Sequence, residues 1–198
     1  DHMDYHKSMK NYFNSKLILF RKLLKKGNYI ITDKAIPELK KLDKIAKKKR
    51  LKKVYIDYSK KDYDLNQFKP IGNFQKKNLL MAIKACEILG LNKKKISKCI
   101  SKLKSVKGRL ELVKEYPDKT KVFIDFAHTP DAINSAIASL KTHFKKDITI
   151  IFGCGGERDK RKREKMGKIV NSLCNKIYVT DDNPRREKPE LIRKAIMK

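Results

Sequence analysis

The sequence predicts an α/β fold, and three observations carry that expectation: apolar runs of three to five residues, segments of helical period between them, and polar turns that follow the runs. Beyond residue 107 the runs at 110–114, 122–126, 148–152 and 177–180 alternate with helical segments. That alternation predicts βαβ units and a parallel sheet. Turns delivered to one edge of such a sheet are where open α/β sheets bind ligands.

Residues 8–26 place Met9, Tyr12, Phe13, Leu17, Phe20, Leu23 and Leu24 close to helical spacing among lysines and arginines, which predicts an amphipathic helix. After Gly27, residues 29–32 read as a short strand, 34–53 as a basic helix or two, and 54–56 as a second strand. Residues 57–69 are polar without a period and read as loop. Helical spacing returns over 78–89, with Gly90 as the residue after the cap, and again over 93–103. The pattern then changes, which puts a domain boundary near Lys107. The run at 122–126 leaves through Ala127 and His128 to Thr129, an N-cap type, with Pro130 at the first helical position and Asp131 in the first turn of a helix reaching about His143. Unpaired N–H groups and the positive dipole end suit an anion there, and Asp125 and His128 flank the place.

The chain has 198 residues, with Lys+Arg 51 against Asp+Glu 22 and a formal net charge of +29. Such a balance points first to nucleic acid or an anionic membrane surface. The lysines are spread along the whole chain, however, and few aromatics interleave with the densest runs. No helix-turn-helix, zinc-finger or RNA-binding signature occurs, so a general lysine bias accounts for the charge and no nucleic-acid partner is expected. A basic nucleic-acid-binding module stays as the rival from another class. No run of about 18 apolar residues is present and the first residues lack signal-peptide order, so no membrane partner is expected. Cys86, Cys99, Cys154 and Cys174 are dispersed without CxxC pairs, which reads as reduced thiols in a cytoplasmic protein. The chain opens on Asp1 and stops within a helical pattern, as a piece of a longer protein would.

Two turns stand out chemically. Thr180-Asp181-Asp182-Asn183-Pro184-Arg185 offers carboxylate, amide and guanidinium together: Asp182 and Asn183 suit an ammonium group, and the planar fork of Arg185 matches a carboxylate at two points. An amino acid carries both partners. Gly153-Cys154-Gly155-Gly156 lacks the spacing and lysine of GxxxxGK[ST], which occurs nowhere in the chain, so the chain by itself has no phosphate cradle and a tight turn is one reading of the glycines. The basic run from Arg158 to Arg163 reads equally as a solvated face. Arg185 has a surface alternative too, pairing with Glu187.

Seven segments in order carry a resemblance: Asp1-His2-Met3-Asp4-Tyr5-His6; Asn11-Tyr12-Phe13-Asn14-Ser15-Lys16; Gly72-Asn73-Phe74-Gln75-Lys76-Lys77-Asn78; Gly108-Arg109-Leu110-Glu111; Asp125-Phe126-Ala127-His128-Thr129-Pro130-Asp131; Phe152-Gly153-Cys154-Gly155-Gly156-Glu157-Arg158-Asp159; and Asp181-Asp182-Asn183-Pro184-Arg185. Together they resemble the Mur ligases, and among these the members that add meso-diaminopimelate to UDP-N-acetylmuramoyl-L-alanyl-D-glutamate. The resemblance is weakest between about residues 33 and 70. It implies that residues 1–106 are the carboxyl-terminal half of a central ATP-binding domain and 107–198 the first part of a Rossmann-like carboxyl-terminal domain. The implied activity is ATP-dependent amide-bond formation in peptidoglycan precursor synthesis, through an acyl phosphate that the incoming amine attacks. ATP and Mg²⁺ are the implied cofactors, UDP-N-acetylmuramoyl-dipeptide and meso-diaminopimelate the implied substrates, and a monomer the implied state.

The resemblance also implies roles. His2 matches a magnesium-site histidine, and Lys16 matches a lysine that the family carbamylates, turning a cation into a carboxylate for a second Mg²⁺. Asn78 matches an adenine contact, Arg109 an arginine that reaches the ATP phosphates, and Asp125 and His128 further ATP contacts. Arg158, Asp182, Asn183 and Arg185 match the recognition of the added amino acid. Arg185 sits where members using meso-diaminopimelate bind its distal carboxylate, whereas members using L-lysine generally lack an arginine. The chain departs from the family pattern in four places. Gln75 replaces the usual asparagine, Asp159-Lys160-Arg161-Lys162-Arg163-Glu164 lacks a glycine and a proline, the stretch between Lys16 and Asn78 is short, and the later Gly-Lys-Gly-His-Glu motif is missing. Without a phosphate loop the 198-residue chain alone is expected to be inactive. The rivals within the superfamily use L-lysine, or folate with glutamate.

Overall fold

The computed structural model describes residues 3–58 and 63–198. It divides into two compact units, Ser8–Lys104 and Ser105–Lys198, with residues 3–7 grouping with the second. A single helical turn, α1 (Met3–His6), comes first. Helix α2 (Met9–Ile18) starts where the Ser8 hydroxyl accepts the Asn11 N–H at 3.2 Å. It passes into a π-helical turn, Leu19–Leu23, closed by Leu24 N–H donating to the Leu19 carbonyl at 2.9 Å. That wider turn shifts the helical phase. The apolar stripe expected over 8–26 is therefore only partly buried: Leu17 is enclosed, while Met9 and Leu23 are 64% and 68% exposed.

Strand β1 (Tyr29–Asp33), helix α3 (Leu39–Lys49) and strand β2 (Lys52–Ile56) form a βαβ unit, with Tyr29 opposite Lys52 and Asp33 opposite Ile56 in parallel register. One basic helix fills the connection. Its last turn carries Lys47, Lys48 and Lys49 against the negative end of the helix dipole, and Arg50 leaves it in the left-handed region at φ 53°. A 3-10 turn (Leu65–Gln67) interrupts the segment expected as loop, and residues 59–62 lie outside the described residues. Helices α4 (Asn73–Ile88) and α5 (Lys93–Ile100) close the unit over a core of Ile56, Tyr63, Leu79, Ile83, Ile96 and Ile100. Gly90 follows the α4 cap at φ 84°, the conformation expected of it.

In the second unit, β3 (Glu111–Glu115) and β4 (Lys121–Ile124) form an antiparallel hairpin, with a bulge between Leu112 and Lys114. The sequence pattern had placed these two runs in a parallel sheet. Five residues separate them, too few for a crossover helix. They turn instead through Asp118, which accepts the Thr120 N–H at 2.9 Å, and Lys119 at φ 68°. Helix α6 (Pro130–Phe144) has Thr129 as N-cap and Pro130 at its start, as expected. Strand β5 (Thr149–Phe152), helix α7 (Arg161–Leu173) and strand β6 (Lys176–Val179) form the second parallel βαβ unit, and α8 (Pro189–Ile196) ends the chain.

Alternation along β5 and β6 turns Ile150, Phe152, Ile177 and Val179 toward the core of Ile133, Ile137, Cys154, Met166, Val170, Ile192 and Ile196. A Cβ on Gly167 would lie 1.8 Å from the Ile196 carbonyl oxygen, so α7 and α8 cross with backbone almost in contact. This packing fixes the starts of α7 and α8 relative to the ends of β5 and β6, where the polar turns lie.

Candidate functional site

Asp125 lies just past β4 and uses both carboxylate oxygens locally. Its Oδ2 accepts the Leu110 N–H and its Oδ1 the Ala127 N–H, both at 2.8 Å. The acid thereby pins the Gly108–Leu110 turn, which carries exposed Arg109, to the exit of β4. Two further bonds hold that turn: Phe126 N–H donates to the Gly108 carbonyl at 2.9 Å, and Gly108 N–H donates to Glu111 Oε2 at 2.7 Å. Gly108 is at φ 67°, and a Cβ there would sit 2.1 Å from the Phe126 ring. His128 Nδ1 lies 2.9 Å from the Phe126 carbonyl oxygen. A carbonyl only accepts, so Nδ1 carries the hydrogen in this contact.

The turn after β5 (residues 153–160) and the turn after β6 (180–188) interlock. Thr180 N–H donates to the Phe152 carbonyl at 3.0 Å, and Gly156 N–H donates to the Asn183 carbonyl at 2.9 Å. A Cβ on Gly153 would meet the Thr180 oxygen at 2.5 Å, and one on Gly156 the Pro184 oxygen at 1.9 Å, so these two glycines are needed for close approach of backbone to backbone. Arg185, at φ 50°, donates from Nη1 to the Gly156 carbonyl. The place a Cβ would take on Gly155 is 3.2 Å from Arg185 Nη1 and 3.9 Å from Asp182 Oδ2. A guanidinium and a carboxylate thus border one small space. Lys162 Nζ donates to the His128 carbonyl at 2.7 Å, which ties the β4 turn to the start of α7. Asp125, His128, Asp182, Asn183 and Arg185 therefore lie on one hydrogen-bonded set of turns; exposed Arg158 lies on the same β5 turn.

The alternative reading of the run from Arg158 to Arg163 as a solvated face fails at Arg163, which is 3% exposed. Its Nη1 and Nη2 donate to Glu187 Oε2 and Oε1, each at 2.9 Å, and Nη2 also lies 3.3 Å from the Gly155 carbonyl oxygen. Glu187 Oε1 further accepts the Glu157 N–H at 2.6 Å. The bond from Arg163, with the Glu157 amide and the neighbouring charges, holds the Glu187 carboxyl at about 2, well below the ordinary value, despite partial burial. Glu187 is thus the partner of Arg163, and Arg185 turns to Gly156. The signal was in the spacing: Arg163 lies three and seven residues before buried Met166 and Val170, on the apolar stripe of α7. Cys154 is a core thiol, 3.8 Å from the Met166 sulfur, and burial pushes its pKa up.

In the unit Ser8–Lys104, Asn78 is exposed on α4. Gln75, one turn earlier, is buried and donates from Nε2 to the Ile71 carbonyl at 3.2 Å. Lys77 pairs with Asp33 at 3.2 Å, and Asp33 also accepts the Ala35 N–H at 2.8 Å. Burial works to raise Asp33, but the Ala35 amide and Lys77 outweigh it and keep the carboxyl below its usual value. Burial, with Asp33 beside it, pushes the Tyr58 hydroxyl up to about 12. A cleft of about 320 Å³ between β2 and α4, lined by Tyr55, Asp57, Tyr63, Lys84 and Glu87 among others, contains none of the expected site residues. Lys16 is exposed in the last turn of α2, its ammonium 5.3 Å from the centre of the Tyr12 ring. His2 lies outside the described residues. Among the described residues no group of three His, Cys, Asp or Glu side chains is gathered as a metal donor set. An unmodified Lys16 supplies no oxygen ligand, so those residues do not by themselves fit a Mg²⁺ site.

The sequence matches the Mur ligase middle domain over residues 1–88 and the Mur ligase glutamate ligase domain over residues 108–198. This chain belongs to the Mur ligase family. Among its Mur ligase relatives is the UDP-N-acetylmuramoyl-L-alanyl-D-glutamate–2,6-diaminopimelate ligase of Rickettsia bellii, 37% identical in an alignment covering all of this chain and 46% of the relative. The enzyme of that name from Rhizobium meliloti is 34% identical over all of this chain and 45% of its own length. The chain thus spans about half the length of these curated relatives. A solved structure of a ligase of the same name superposes with a TM-score of 0.57 at 26% identity, covering 99% of this chain and 45% of that one. Folylpolyglutamate synthetase from Lactobacillus casei gives a TM-score of 0.63 at 17% identity over 90% of this chain and 51% of its own, which extends the likeness of fold alone.

Proposed function

We propose that the whole protein is an ATP-dependent amide ligase that adds meso-diaminopimelate to UDP-N-acetylmuramoyl-L-alanyl-D-glutamate in the cytoplasm, as a step of peptidoglycan precursor synthesis. The observation that carries this reading is the space beside Gly155, bordered on one side by Arg185 Nη1 and on the other by Asp182 Oδ2. A diamino diacid is complementary to that pair. Its distal carboxylate meets the Arg185 fork, already held from behind by the Gly156 carbonyl, while Asp182 and Asn183 receive an ammonium group. Arg158, on the facing turn, adds positive charge for a carboxylate. L-lysine has no distal carboxylate and forgoes the charge-assisted contact with the exposed Arg185 fork, which disfavours it by roughly 1–3 kcal/mol.

Within the unit Ser8–Lys104, Asn78 presents an exposed amide suited to the paired donor and acceptor of an adenine edge. Asp125 holds the Gly108–Leu110 turn so that Arg109 projects as a cation for phosphate oxygens, and His128 lies at the start of α6, where backbone N–H groups favour an anion. ATP, when bound with Mg²⁺, supplies the phosphoryl group that activates the substrate carboxylate. Lys16, carbamylated, would carry a carboxylate-like oxygen of the kind that Mg²⁺ accepts. The shared family, and the ligases of the same name among its relatives at 34–37% identity, support this assignment over L-lysine- and folate-using members.

The test is ADP release by the intact protein given UDP-N-acetylmuramoyl-L-alanyl-D-glutamate and either meso-diaminopimelate or L-lysine. Turnover with meso-diaminopimelate at a kcat/KM at least about tenfold above that with L-lysine is expected. A preference for L-lysine would overturn the assignment of Arg185.

A further inference from the structure

A buried arginine needs a reason. Arg163 is more enclosed than any other arginine among the described residues, and its Nε has no hydrogen-bond partner there. Replacing such an ion pair by apolar residues often costs a fold nothing, so stability alone does not account for it. What the pair does geometrically is specific. Arg163 stands in the first turn of α7 and touches the Gly155 carbonyl on the β5 turn, while its fork holds Glu187 on the β6 turn at both oxygens. Glu187 in turn accepts the Glu157 N–H, back on the β5 turn. Each end of the pair thus grips both turns. Glu187 N–H also donates to the Pro184 carbonyl at 3.0 Å, closing the bend that carries Arg185 in its left-handed conformation.

We propose that Arg163 and Glu187 are positioning residues for the added amino acid: they fix the spacing between the β5 and β6 turns and hence the separation of Asp182 from Arg185. Neither side chain meets the substrate. This inference rests on the reading of the space beside Gly155 as the amino-acid pocket. Among the described residues the other ties between the turns are the Thr180–Phe152 bond at the strand ends, the Gly156–Asn183 and Arg185–Gly156 bonds, and a 3.9 Å approach of the 94% exposed Arg186 side chain to Glu157, so on the Glu187 side the Arg163 fork is the enclosed tie. Lys160, 71% exposed at its side chain and 3.5 Å from Glu187, is too solvated to replace the fork.

The test uses Arg163→Lys, which keeps the charge and loses the fork, and Glu187→Gln, which keeps an acceptor for Glu157 N–H and loses the charge. Both are made in the intact protein, with thermal melts to confirm folding. KM for meso-diaminopimelate is expected to rise about tenfold or more in each, while KM for ATP and kcat stay within about threefold. Parallel loss in all three constants, or a meso-diaminopimelate KM within about threefold of the unsubstituted protein, overturns the inference and leaves the pocket reading standing. Failure of both variants to fold assigns the pair to the fold and overturns it as well. If the unsubstituted protein shows no ADP release dependent on meso-diaminopimelate, the pocket reading fails and takes this inference with it.

Discussion

The guanidinium of Arg163 and the carboxylate of Glu187 meet edge to edge, with both N–H···O contacts at 2.9 Å, although 24 residues of chain separate them. The contact settles a competition between neighbours. Arg185 stands two residues from Glu187 in sequence, yet the αL turn at Arg185 directs its fork to Gly156 while the long-range partner takes the acid. One arginine is committed to a buried ion pair, and the other is exposed with a single backbone contact.

Acid should find this pair. A carboxyl whose folded pKa is depressed stabilises the fold fully above its unfolded pKa and loses that contribution as pH falls through the folded value. For Glu187 the window runs from about 4.5 down to about 2. Its contribution at neutral pH is on the order of 2–3 kcal/mol. Urea midpoints measured at pH 7, 4 and 2.5 should show Glu187→Gln less stable than the unsubstituted protein at pH 7, with the gap closing toward pH 2.5. A gap independent of pH would show that the carboxylate charge is not what the fold uses.

Gly156 and Gly90 make a second contrast. Gly90 has φ 84° and open space around a built Cβ, so Gly90→Ala carries conformational strain alone, about 1 kcal/mol. Gly156→Ala would place a methyl group 1.9 Å from the Pro184 carbonyl oxygen, a backbone atom that cannot move without parting the turns. A loss of about 2 kcal/mol or more is expected there, with the larger fall in Tm and reduced affinity for the amino acid. Equal Tm shifts for the two variants would contradict the interlocked geometry.

These glycines show what the sequence made legible. Thr129-Pro130-Asp131 announced the start of α6 because capping is local chemistry, and the turns after β5 and β6 were visible as polar clusters behind apolar runs. The hairpin of β3 and β4 was misassigned because apolar runs of that length look alike in parallel and antiparallel pairs; the discriminating feature was the short gap between the runs at 110–114 and 122–126, residues 115–121, with no room for a crossover helix. Arg163 was missed for a different reason. Charge dominated the reading of Arg158 to Arg163, whereas its three- and seven-residue spacing to Met166 and Val170 placed it inward, where Glu187 waits from another turn. Long-range pairings of that kind have no local signature. The interlocking of Gly156 with Pro184 is equally a property of two segments together.

Lys16 offers a chemical test independent of turnover. Its ammonium rests over the Tyr12 ring, exposed to dissolved carbon dioxide. In ¹³C-bicarbonate buffer, carbamylation would add a carbamate carbonyl resonance to the NMR spectrum of the intact protein with ATP and Mg²⁺ present, and Lys16→Arg would abolish it. If the proposed carbamate serves turnover, the same variant should lower kcat by about a hundredfold or more, since an arginine cannot be converted to a carboxylate. A spectrum without that resonance would remove the modification from the proposal.

Arg185 provides the most selective prediction. Truncation to alanine removes the donor that faces the space beside Gly155 and leaves the Arg163–Glu187 contact in place, so the turns should stay joined through the ion pair and the Gly156–Asn183 bond. A charge-assisted, two-point contact with a carboxylate is worth about 2–3 kcal/mol, which corresponds to a rise in KM for meso-diaminopimelate of about thirty- to hundredfold. KM for ATP should not change, because the Gly108–Leu110 turn that carries Arg109, and the β4 turn of Asp125 and His128 that holds it, keep their bonds. Discrimination against L-lysine should fall at the same time, since the alanine variant no longer carries the cation that favours a distal carboxylate. Arg185→Lys should lie between the two, keeping the charge without the planar fork. Unchanged affinity for meso-diaminopimelate in Arg185→Ala, measured by calorimetry on the intact protein, would move recognition of the distal carboxylate to Arg158 or out of this pocket altogether.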